Sequence, residues 1–419
     1  MEQTKLVPKR RFKEFQNTSA WEQRKLGEMG DTFTGLSGKT KEDFGHGDAK
    51  FVTYINVFSN PISDPYGTES VEIDSKQKEV KYGDVFFTTS SETPEEVGMS
   101  SVWLENTENV YLNSFCFGYR PTVEFDPYYL AFMLRSPVVR KKFMFLAQGI
   151  SRYNISKNKV MDMLVSVPTL EEQKKVGAFY KELENLITLH QRKLEKMKAL
   201  KSAYLSEMFP AEGERVPKRR FAGFTQAWEQ RKLGEMMEVT SVKRIHQSDW
   251  TDEGVRFLRA RDIVCASKGE EPTDYLYISQ EKYDEYSRIS GKVKVGDLLV
   301  TGVGTIGVPL LVTQEEPLYF KDGNIIWFKN EKQLDGNFFY YSFIGESIQK
   351  YIRDVAGIGT VGTYTIDSGK KTPIQIPSYE EQEKIGNFFK QLDHLITLHQ
   401  RKLEKLQNIK KAYLNEMFV

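Results

Sequence analysis

The amino-acid sequence predicts an α+β protein made of two pseudo-symmetric mixed α/β domains joined by two long helices that form an antiparallel coiled coil. Three observations support this prediction. Several sequence blocks occur twice in the same order, once in each half of the 419-residue chain. Each half closes with apolar residues at helical spacing, as in an amphipathic helix. Between the repeated blocks, short apolar runs punctuated by Gly, Asp and Pro indicate strands.

The internal repeat defines the domain organisation. The segment LITLHQRKLEK at Leu186–Lys196 returns unchanged at Leu395–Lys405. Two further blocks also occur twice, VPKRRF at Val7 and Val216 and AWEQRKLGE at Ala20 and Ala227. A fixed period of this kind indicates two tandem units of roughly 210 residues each. The long stretches between the blocks barely match each other, so one shared frame carries two different inserts.

Each half closes with a predicted helix that starts at a capping box. Thr169 with Glu172, and Ser378 with Glu381, have the S/T-x-x-E spacing that satisfies the first free N–H groups of a helix. Downstream, apolar residues recur mostly at intervals of three and four, which is typical of a coiled-coil seam. The central seam positions are Leu183, Ile187, His190, Leu194 and Met197 in the first helix and Leu392, Ile396, His399, Leu403 and Leu406 in the second.

Connectivity predicts the direction of the two helices. The first helix leads through a short connector into the second insert, and the second helix follows that insert. The second helix should therefore run back along the first. The first helix is expected to end at Pro210, with Gly177 as a tolerated weak point near its start. The repeat of VPKRRF then predicts that the N-terminal segment lies beside the end of the second helix, near Phe418. His190 and His399 fall near the middle of their helices, where a two-fold related pair would bring them together.

The two inserts are predicted to share a mixed α/β fold. The runs FVTYINVF, KYGDVFF, RFLRARDIV and VGDLLVT indicate strands. Towards the end of each insert one helical pattern appears, PYYLAFMLRSPVVRKKFMFLA in the first and NFFYYSFIGESIQKYIRDVA in the second. KYGDVFFTT and KVGDLLVTG hold similar places in the two inserts. We therefore expect one fold with two different surfaces.

Composition excludes several classes of protein. A hydrophobic content of 39% with 15 prolines indicates an ordered globular protein. Cys116 and Cys265 are the two cysteines, so neither a disulfide framework nor a cysteine metal site is expected, and a cytoplasmic location is predicted. Val295–Val312 is apolar but contains Asp297 and Pro309, which favours two strands and a turn over a membrane span. The net charge of +1 does not indicate nucleic acid, although one local basic face would be enough to bind it.

Four short motifs resemble catalytic or cofactor sites, and none of them fits. GVGTIG at Gly302–Gly307 has the dinucleotide pattern G-x-G-x-x-G, but VPLLV follows where a helix should begin. SGKT at Ser37–Thr40 lacks the first glycine of a P-loop. Asp64 with Asp74 and Lys76 imitates a nuclease metal site, and SDPYG resembles a methyltransferase loop without its second proline. We therefore expect no catalytic residue, no metal site and no cofactor in this chain.

Polar and basic side chains on short glycine-bearing loops are the remaining candidates for function. Such side chains reach the base edges and phosphates of DNA. The first insert offers Lys39, Lys41, His46, Ser90, Ser91, Arg152, Tyr153, Asn154 and Lys157. The second insert offers Lys243, Arg244, Arg259, Arg261, Thr360, Thr363, Tyr364 and Lys370. Because these loops recur at corresponding places, the sequence predicts two DNA-contacting surfaces.

The doubled order of the blocks resembles the specificity subunits of type I restriction–modification enzymes. The resemblance covers the whole chain and rests on VPKRRF followed by AWEQRKLGE, on the Gly-Asp turn of each insert, and on P-x-x-E-E-Q at Pro168–Gln173 and Pro377–Gln382. It implies a non-catalytic DNA-binding subunit in which two target recognition domains each read one half of a split, asymmetric double-stranded target. The implied boundaries are 1–166 for the first recognition domain with its N-terminal segment, 167–209 for the central helix, 210–375 for the second recognition domain and 376–419 for the distal helix.

The resemblance also implies partners. Two modification subunits would dock on the paired helices, carry S-adenosylmethionine and methylate adenine, and restriction subunits would add cleavage that needs ATP and Mg²⁺. The paired helices would set the spacer of the target. From the residues alone two other functions stay open, a self-contained methyltransferase or nuclease with unrecognised motifs and a coiled-coil adaptor that does not bind DNA. The first predicts activity of the purified chain alone, and the second predicts no affinity for DNA.

Overall fold

A computed structural model describes residues 6–357 and 362–419 of the chain. The chain divides into two compact units. Unit 1 contains Met1–Gln191 together with Arg401–Val419, and unit 2 contains Arg192–Gln400. Each unit therefore combines one insert with part of each long helix.

Unit 1 is a mixed α/β unit with eleven described strands, four short helices and the first part of a long helix. The strands are β1 (Glu22–Lys25), β2 (Gly30–Thr34), β3 (Phe44–Val52), β4 (Thr68–Val71), β5 (Val85–Thr88), β6 (Ser90–Ser91), β7 (Ser100–Val102), β8 (Val110–Leu112), β9 (Cys116–Pro121), β10 (Tyr153–Asn154) and β11 (Leu164–Val167). The helices are α1 (Tyr54–Ser59), α2 (Pro127–Leu134), α3 (Pro137–Leu146), α4 (Lys157–Met161) and the long α5 (Leu170–Glu207), which continues into unit 2.

Unit 2 is also a mixed α/β unit, with ten strands and six short helices in the residues that the structure describes. Its strands are β12 (Glu229–Lys232), β13 (Glu238–Thr240), β14 (Trp250–Thr251), β15 (Val255–Leu258), β16 (Leu276–Ile278), β17 (Leu298–Thr301), β18 (Pro309–Leu311), β19 (Leu318–Phe320), β20 (Ile325–Lys329) and β21 (Pro373–Ile376). Its helices are α6 (Leu233–Met236), α7 (Ala260–Lys268), α8 (Gln280–Ser290), α9 (Gly336–Ile344), α10 (Glu346–Ala356), α11 (Ile366–Lys371) and the long α12 (Tyr379–Glu416), which continues into unit 1.

The sheets of the two inserts have matching topologies. One antiparallel sheet has the order β2-β9-β5-β7 in unit 1 and β13-β20-β17-β18 in unit 2. A second sheet has the order β4-β3-β8 in unit 1 and β14-β16-β15-β19 in unit 2, and in both units it contains one parallel pair, β3 with β8 and β15 with β19. The α+β fold class and the shared insert fold predicted from the sequence are therefore confirmed.

Two of the predicted strands end earlier than expected and give way to helices. In FVTYINVF, β3 stops at Val52 and α1 follows, because the Thr53 hydroxyl accepts the N–H of Asn56 and caps the helix. In RFLRARDIV, β15 stops at Leu258, and the Asp262 carboxylate accepts the N–H of Arg259 at 2.8 Å as α7 begins. The strand prediction holds for Phe51 and Val52 in the first run and for residues 256–258 in the second, and it was wrong for the rest of both runs.

The single helix expected late in each insert is two helices. In unit 1 the break falls at Ser136, which precedes Pro137 and caps α3 through its side chain. A residue before proline is pushed out of the helical region, so α2 cannot continue through this position. In unit 2 the break falls at Gly345, which has extended backbone between α9 and α10.

The long helices run antiparallel within each unit. In unit 1 the Phe179 ring near the start of α5 packs against the Tyr413 ring near the end of α12, with 5.0 Å between ring centroids. In unit 2 the pairing is reversed, because Tyr204 near the end of α5 packs against Phe388 near the start of α12 at 5.3 Å. The predicted direction is confirmed, and α5 ends before Pro210 as expected.

The predicted seam residues differ in burial between the two helices. Buried positions are Leu183, Ile187, His190 and Leu194 of α5 and Leu392 of α12. Half-buried positions are Met197 of α5 and Ile396, His399, Leu403 and Leu406 of α12. His190 belongs to unit 1 and His399 to unit 2. That the two histidines lie close together stays a prediction from the sequence.

The repeated VPKRRF segment ties the two long helices together in unit 1. Arg11 makes a bidentate ion pair with Glu172 at the start of α5, with N–O distances of 2.6 and 2.7 Å. Its neighbour Arg10 pairs with Glu416 at the end of α12 at 2.6 Å. The N-terminal segment therefore lies beside the end of the second helix, as the pseudo-symmetry predicted.

Unit 2 contains the same arrangement in its second copy of the segment. Arg220 makes a bidentate pair with Glu381 at the start of α12, with both N–O distances at 2.7 Å. Arg219 pairs with Glu207 at the end of α5 at 2.6 Å. The repeated sequence therefore forms the same pair of ion pairs in both units. We call this arrangement, in which two consecutive arginines of VPKRRF bind the start of one long helix and the end of the other, the clamp.

The P-x-x-E-E-Q element serves this clamp instead of a capping box. Thr169 caps α5 as predicted, since its hydroxyl accepts the Glu172 N–H at 3.4 Å. The Glu172 carboxylate binds Arg11 and does not return to the helix N-terminus, so the predicted box is incomplete. Gln173 accepts the N–H of Asp126, which brings the start of α2 onto α5. A Cβ atom on Gly177 would lie 1.9 Å from the Asp126 carboxylate, so this glycine is required by close packing.

Candidate nucleic-acid interface

A short hairpin in unit 1 brings several predicted contact residues together. Gln148 and Asn154 exchange backbone hydrogen bonds of 2.9 and 2.8 Å at its base. Strand β10 of this hairpin pairs with β6, so that Tyr153 lies opposite Ser91 and Asn154 opposite Ser90. The predicted group Ser90, Ser91, Tyr153, Asn154 and the exposed Arg152 is therefore contiguous, and the half-buried Lys157 follows at the start of α4.

Ser90 and Ser91 hold this hairpin in place, and their side chains are not presented at the surface. Both are buried, and their contacts with β10 run through the backbone. The Ser91 hydroxyl donates to the Glu96 carboxylate at 3.1 Å. Tyr54 at the start of α1 donates its hydroxyl to the Ser90 carbonyl oxygen at 2.7 Å, which joins α1 to the same surface.

The loop that follows β6 is held by a half-buried arginine that sequence reasoning missed. The Arg140 guanidinium donates to the carbonyl oxygens of Glu95, Val97 and Gly98 at 2.8, 2.6 and 2.8 Å. Burial lowers the pKa of Arg140 to about 10. In unit 2 the corresponding contact is Gln349, whose side-chain amide donates to Gly307 at 3.0 Å. Arg140 and Gln349 hold equivalent places in the two repeats. Their alignment was the sequence signal that could have identified Arg140 as a residue that holds this loop.

Lys39, Lys41 and His46 lie at the β3–β4 sheet and do not join the hairpin group. Lys39 pairs with Asp43 at 3.8 Å and with Asp74 at 3.1 Å. The Lys76 N–H, the Gln77 side chain and Lys39 hold the pKa of Asp74 at about 2. His46 Nδ1 lies 3.5 Å from the Glu72 carboxylate, and Lys41 is exposed. Acidic neighbours therefore offset much of the positive charge predicted for this loop.

Unit 2 has a counterpart of the hairpin attachment. The Tyr364 N–H donates to the Gly302 carbonyl oxygen at 2.8 Å, as the Ile155 N–H donates to the Thr89 carbonyl oxygen at 2.9 Å in unit 1. Gly302 follows β17 directly, as Thr89 follows β5. The polypeptide around Thr363 is therefore equivalent to that around Asn154, and Thr363 itself is exposed.

Tyr364 is a core residue and not part of the exposed surface predicted from the sequence. Its side chain is only 2% exposed, and its hydroxyl shares a hydrogen bond with Thr372. Burial raises the pKa of this phenol. The reason is its place in the fold, since Tyr364 takes the position that the buried Ile155 takes in unit 1. Thr360 lies outside the described residues.

Arg259 and Arg261 meet acidic partners at the start of α7. Arg259 pairs with Asp262 at 3.0 Å and with Asp274 at 2.8 Å, and its side chain is 19% exposed. Arg261 pairs with the same Asp274, but 53% of its side chain is exposed. Arg259 therefore holds the start of α7 against the segment that contains Asp274, while Arg261 presents its guanidinium at the surface.

The remaining basic candidates of unit 2 lie on its exposed surface. The Lys243 ammonium lies 4.1 Å from the centroid of the Tyr286 ring. Arg244 pairs with Asp322 at 2.9 Å and keeps 66% of its side chain exposed. Lys370 is exposed near the end of α11. These side chains are available at the surface, and their contact with DNA stays a prediction.

The motifs set aside in the sequence fold as turns and surface loops. GVGTIG connects β17 to β18 in an antiparallel hairpin, so a strand and not a helix follows its last glycine. Among residues 6–357 and 362–419, no three His, Cys, Asp or Glu side chains are grouped as metal ligands would be. Across the same residues, no helix combines the length and apolar character that a membrane crossing requires.

Comparison with known proteins identifies relatives of both halves. Residues 18–199 and 225–408 each match the family described as the type I restriction modification DNA specificity domain. The type I restriction enzyme MjaVIII specificity subunit of Methanocaldococcus jannaschii is 26% identical over 306 residues, which is 69% of each chain. The putative MjaX specificity subunit of the same organism is 24% identical over 421 residues, covering 94% of this chain and 92% of the relative.

A solved structure has the same fold along the whole chain. The S subunit of a type I restriction–modification system from M. genitalium aligns with a TM-score of 0.61. The alignment covers 99% of both chains at 13% sequence identity. At this level of identity the likeness concerns the fold and not the loop side chains.

Proposed function

The chain belongs to the type I restriction–modification DNA specificity family, and we propose that each of its units reads one half of a bipartite double-stranded DNA target. The observation that carries the proposal is the repetition of one loop attachment with different side chains. Thr89 and Ile155 in unit 1 correspond to Gly302 and Tyr364 in unit 2, with the same backbone hydrogen bond. Base readout depends on side chains displayed by a fold and not on the fold itself. Two different surfaces on one fold therefore suit two different half-sites.

Exchange of one insert tests this proposal. Replacing Met29–Ser166 with the corresponding segment of another specificity subunit is expected to change one half of the recognised sequence and to leave the other half unchanged. Methylome sequencing of a host that expresses the hybrid with its partner subunits reads both halves directly. A change in both halves would contradict independent reading. Absence of DNA affinity in the wild-type assembly would favour a protein adaptor instead.

Arg152→Ala is expected to weaken binding in one half-site only. Arg152 is exposed on the hairpin held by β6, and a bidentate contact of arginine with a base is worth ~1–3 kcal/mol. Arg259→Ala should act on the other half-site, partly by releasing Asp262 and Asp274. Binding is measured against targets mutated in each half in turn, with Lys25→Ala as a control that removes an exposed cation from β1. Equal losses on specific and random DNA would assign Arg152 to a phosphate.

The long helices are proposed to dock two modification subunits. The segment LITLHQRKLEK is identical in both helices even at positions that packing leaves exposed. Leu189 and its counterpart Leu398 are 45% and 52% exposed. Core packing does not require identity at such positions, and exposed apolar side chains are suited to protein contacts. Two equal outward surfaces support the binding of two copies of one partner.

Catalysis is assigned in this proposal to the partner subunits. S-adenosylmethionine would belong to the modification subunits, and ATP and Mg²⁺ to the restriction subunits. This chain would supply target recognition, helix length and docking surfaces. Two observations support assigning catalysis to the partners. The first is the family of the chain, and the second is that the repeated blocks have structural roles. Arg11 binds Glu172 at the start of α5, and Gln173 binds Asp126 at the start of α2.

A further inference from the structure

A cavity of about 230 Å³ lies in unit 2, beside the tryptophan of the second AWEQRKLGE block. Its walls come from the end of α5 and the connector after it, from α9 and α10, and from β21. Trp228, Phe209 and Ile348 supply apolar surface. Glu212 and Lys350, which are exposed and form an ion pair, also line it, so the cavity reaches the surface. The volume is below the ~300–1,000 Å³ of pockets for drug-sized ligands and suits a molecule with one ring.

Three of the side chains that line this cavity carry buried polar atoms without protein partners. Trp228 is fully buried and Ser342 is 7% exposed. Within residues 6–357 and 362–419, neither the Trp228 indole N–H nor the Ser342 hydroxyl has a hydrogen-bond partner. The Gln375 amide nitrogen donates to the Glu214 carbonyl oxygen at 2.7 Å, but its buried amide oxygen is unpaired within the same residues. Burial of such groups is unfavourable unless they are hydrogen-bonded, so the cavity offers a donor, an acceptor and a hydroxyl to a ligand.

A larger side chain occupies the equivalent place in unit 1. Met133 of α2 and Ser342 of α9 are each the seventh residue of their helix, and both helices start at an aspartate cap. Met133 is 1% exposed and packs in the core of unit 1. The indole N–H of Trp21, the equivalent of Trp228, is also unpaired in the described part of the chain. The shorter serine, with its hydroxyl and the space beside it, is therefore what distinguishes unit 2 at this position.

We propose that this cavity binds one small uncharged aromatic amide per chain. An aromatic ring matches the apolar walls, and a carboxamide adds what the polar atoms lack. Its carbonyl oxygen can accept the Trp228 N–H, and its N–H groups can donate to the Gln375 amide oxygen. The charged side chains that line the cavity are all exposed, namely Glu212, Glu346 and Lys350, so none is buried to offset a charged ligand. The proposal is independent of DNA binding and goes beyond the proposed function.

Benzamide is the probe, titrated into the full purified chain and followed by calorimetry. Wild type is expected to bind one benzamide per chain with a saturable signal. Benzoate has the same shape but is charged and lacks N–H donors, so it should bind at least about tenfold more weakly. Trp228→Phe keeps an aromatic wall and removes the N–H, which should weaken benzamide binding about three- to tenfold. Trp21→Phe is the matched control in unit 1 and should leave the affinity unchanged.

Two substitutions at Ser342 separate the space from the hydroxyl. Ser342→Met introduces the residue of unit 1 and should abolish benzamide binding by filling the cavity. Ser342→Ala preserves the space and should bind benzamide within a few-fold of wild type. If Ser342→Met does not fold, the comparison of Trp228→Phe with Trp21→Phe decides. The proposal is wrong if wild type shows no saturable binding, if folded Ser342→Met still binds, or if both tryptophan variants lose affinity equally. None of these results bears on the reading of a bipartite target, which is tested separately.

Discussion

Arg11→Ala is expected to lower the free energy of unfolding of unit 1 by about 3–5 kcal/mol, because it leaves a buried carboxylate without its partner. The side chains of Arg11 and Glu172 are 6% and 1% exposed, and two N–O contacts of 2.6 and 2.7 Å join them. The pair links the N-terminal segment to the start of α5. Its loss should also loosen the end of α12, which the same segment holds through Arg10. Chemical denaturation of the purified chain measures the change.

The same segment offers a matched control. Arg10 pairs with Glu416 at the same 2.6 Å separation, but the two side chains are 54% and 36% exposed, so water and salt screen the interaction. Arg10→Ala should therefore destabilise unit 1 far less than Arg11→Ala. Unit 2 repeats the comparison with Arg220 and Arg219.

A compensating double substitution distinguishes an unpaired charge from lost packing. Arg11→Met combined with Glu172→Leu removes both charges and should recover much of the stability that Arg11→Ala loses. Equal destabilisation by Arg10→Ala and Arg11→Ala, or no recovery in the double variant, would show that burial of the pair is not what stabilises the clamp.

The sequence predicted the frame well because its signals are local or repeated. Apolar spacing identified α5 and α12, connectivity through the second insert predicted their antiparallel direction, and the repeat of VPKRRF predicted the placement of the N-terminal segment. The capping box failed for a tertiary reason. Glu172 has the right spacing to cap the helix, but Arg11 is distant in sequence and binds the carboxylate more strongly through two hydrogen bonds.

Strand ends and surface positions were harder to predict because they depend on contacts that local patterns do not encode. FVTYINVF is apolar except for Thr53 and Asn56, and only the Thr53 cap reveals where the strand stops. Tyr364 has the chemistry of a DNA contact, but it fills the core position of Ile155. Ile55 has the composition of a core residue, but it is exposed. Burial of a single side chain follows from the packed fold, so residue type alone misassigned Tyr364.

Lengthening both long helices is expected to lengthen the spacer between the two half-sites. Helix α5 begins in unit 1 and ends in unit 2, and α12 runs from unit 2 to unit 1, so helix length is the natural determinant of spacing. Lys193 and Lys402 lie at identical positions of the repeated segment. Four residues inserted after each add ~6 Å of helix, which corresponds to one or two base pairs at ~3.4 Å per pair. Insertion in both helices preserves their mutual register.

The outcome is read as the methylated sequence of a host that expresses each variant with the partner subunits. An insertion of seven residues in each helix keeps the apolar seam in phase and should add ~10 Å, or about three base pairs. Four residues inserted at Gly213 are the control, because this connector residue is exposed and has no neighbour within 4 Å of an added Cβ. Both half-site sequences should persist in every variant. A spacer that stays constant when the helices lengthen, or that changes equally with the Gly213 insertion, would exclude helix length as the measure of the target.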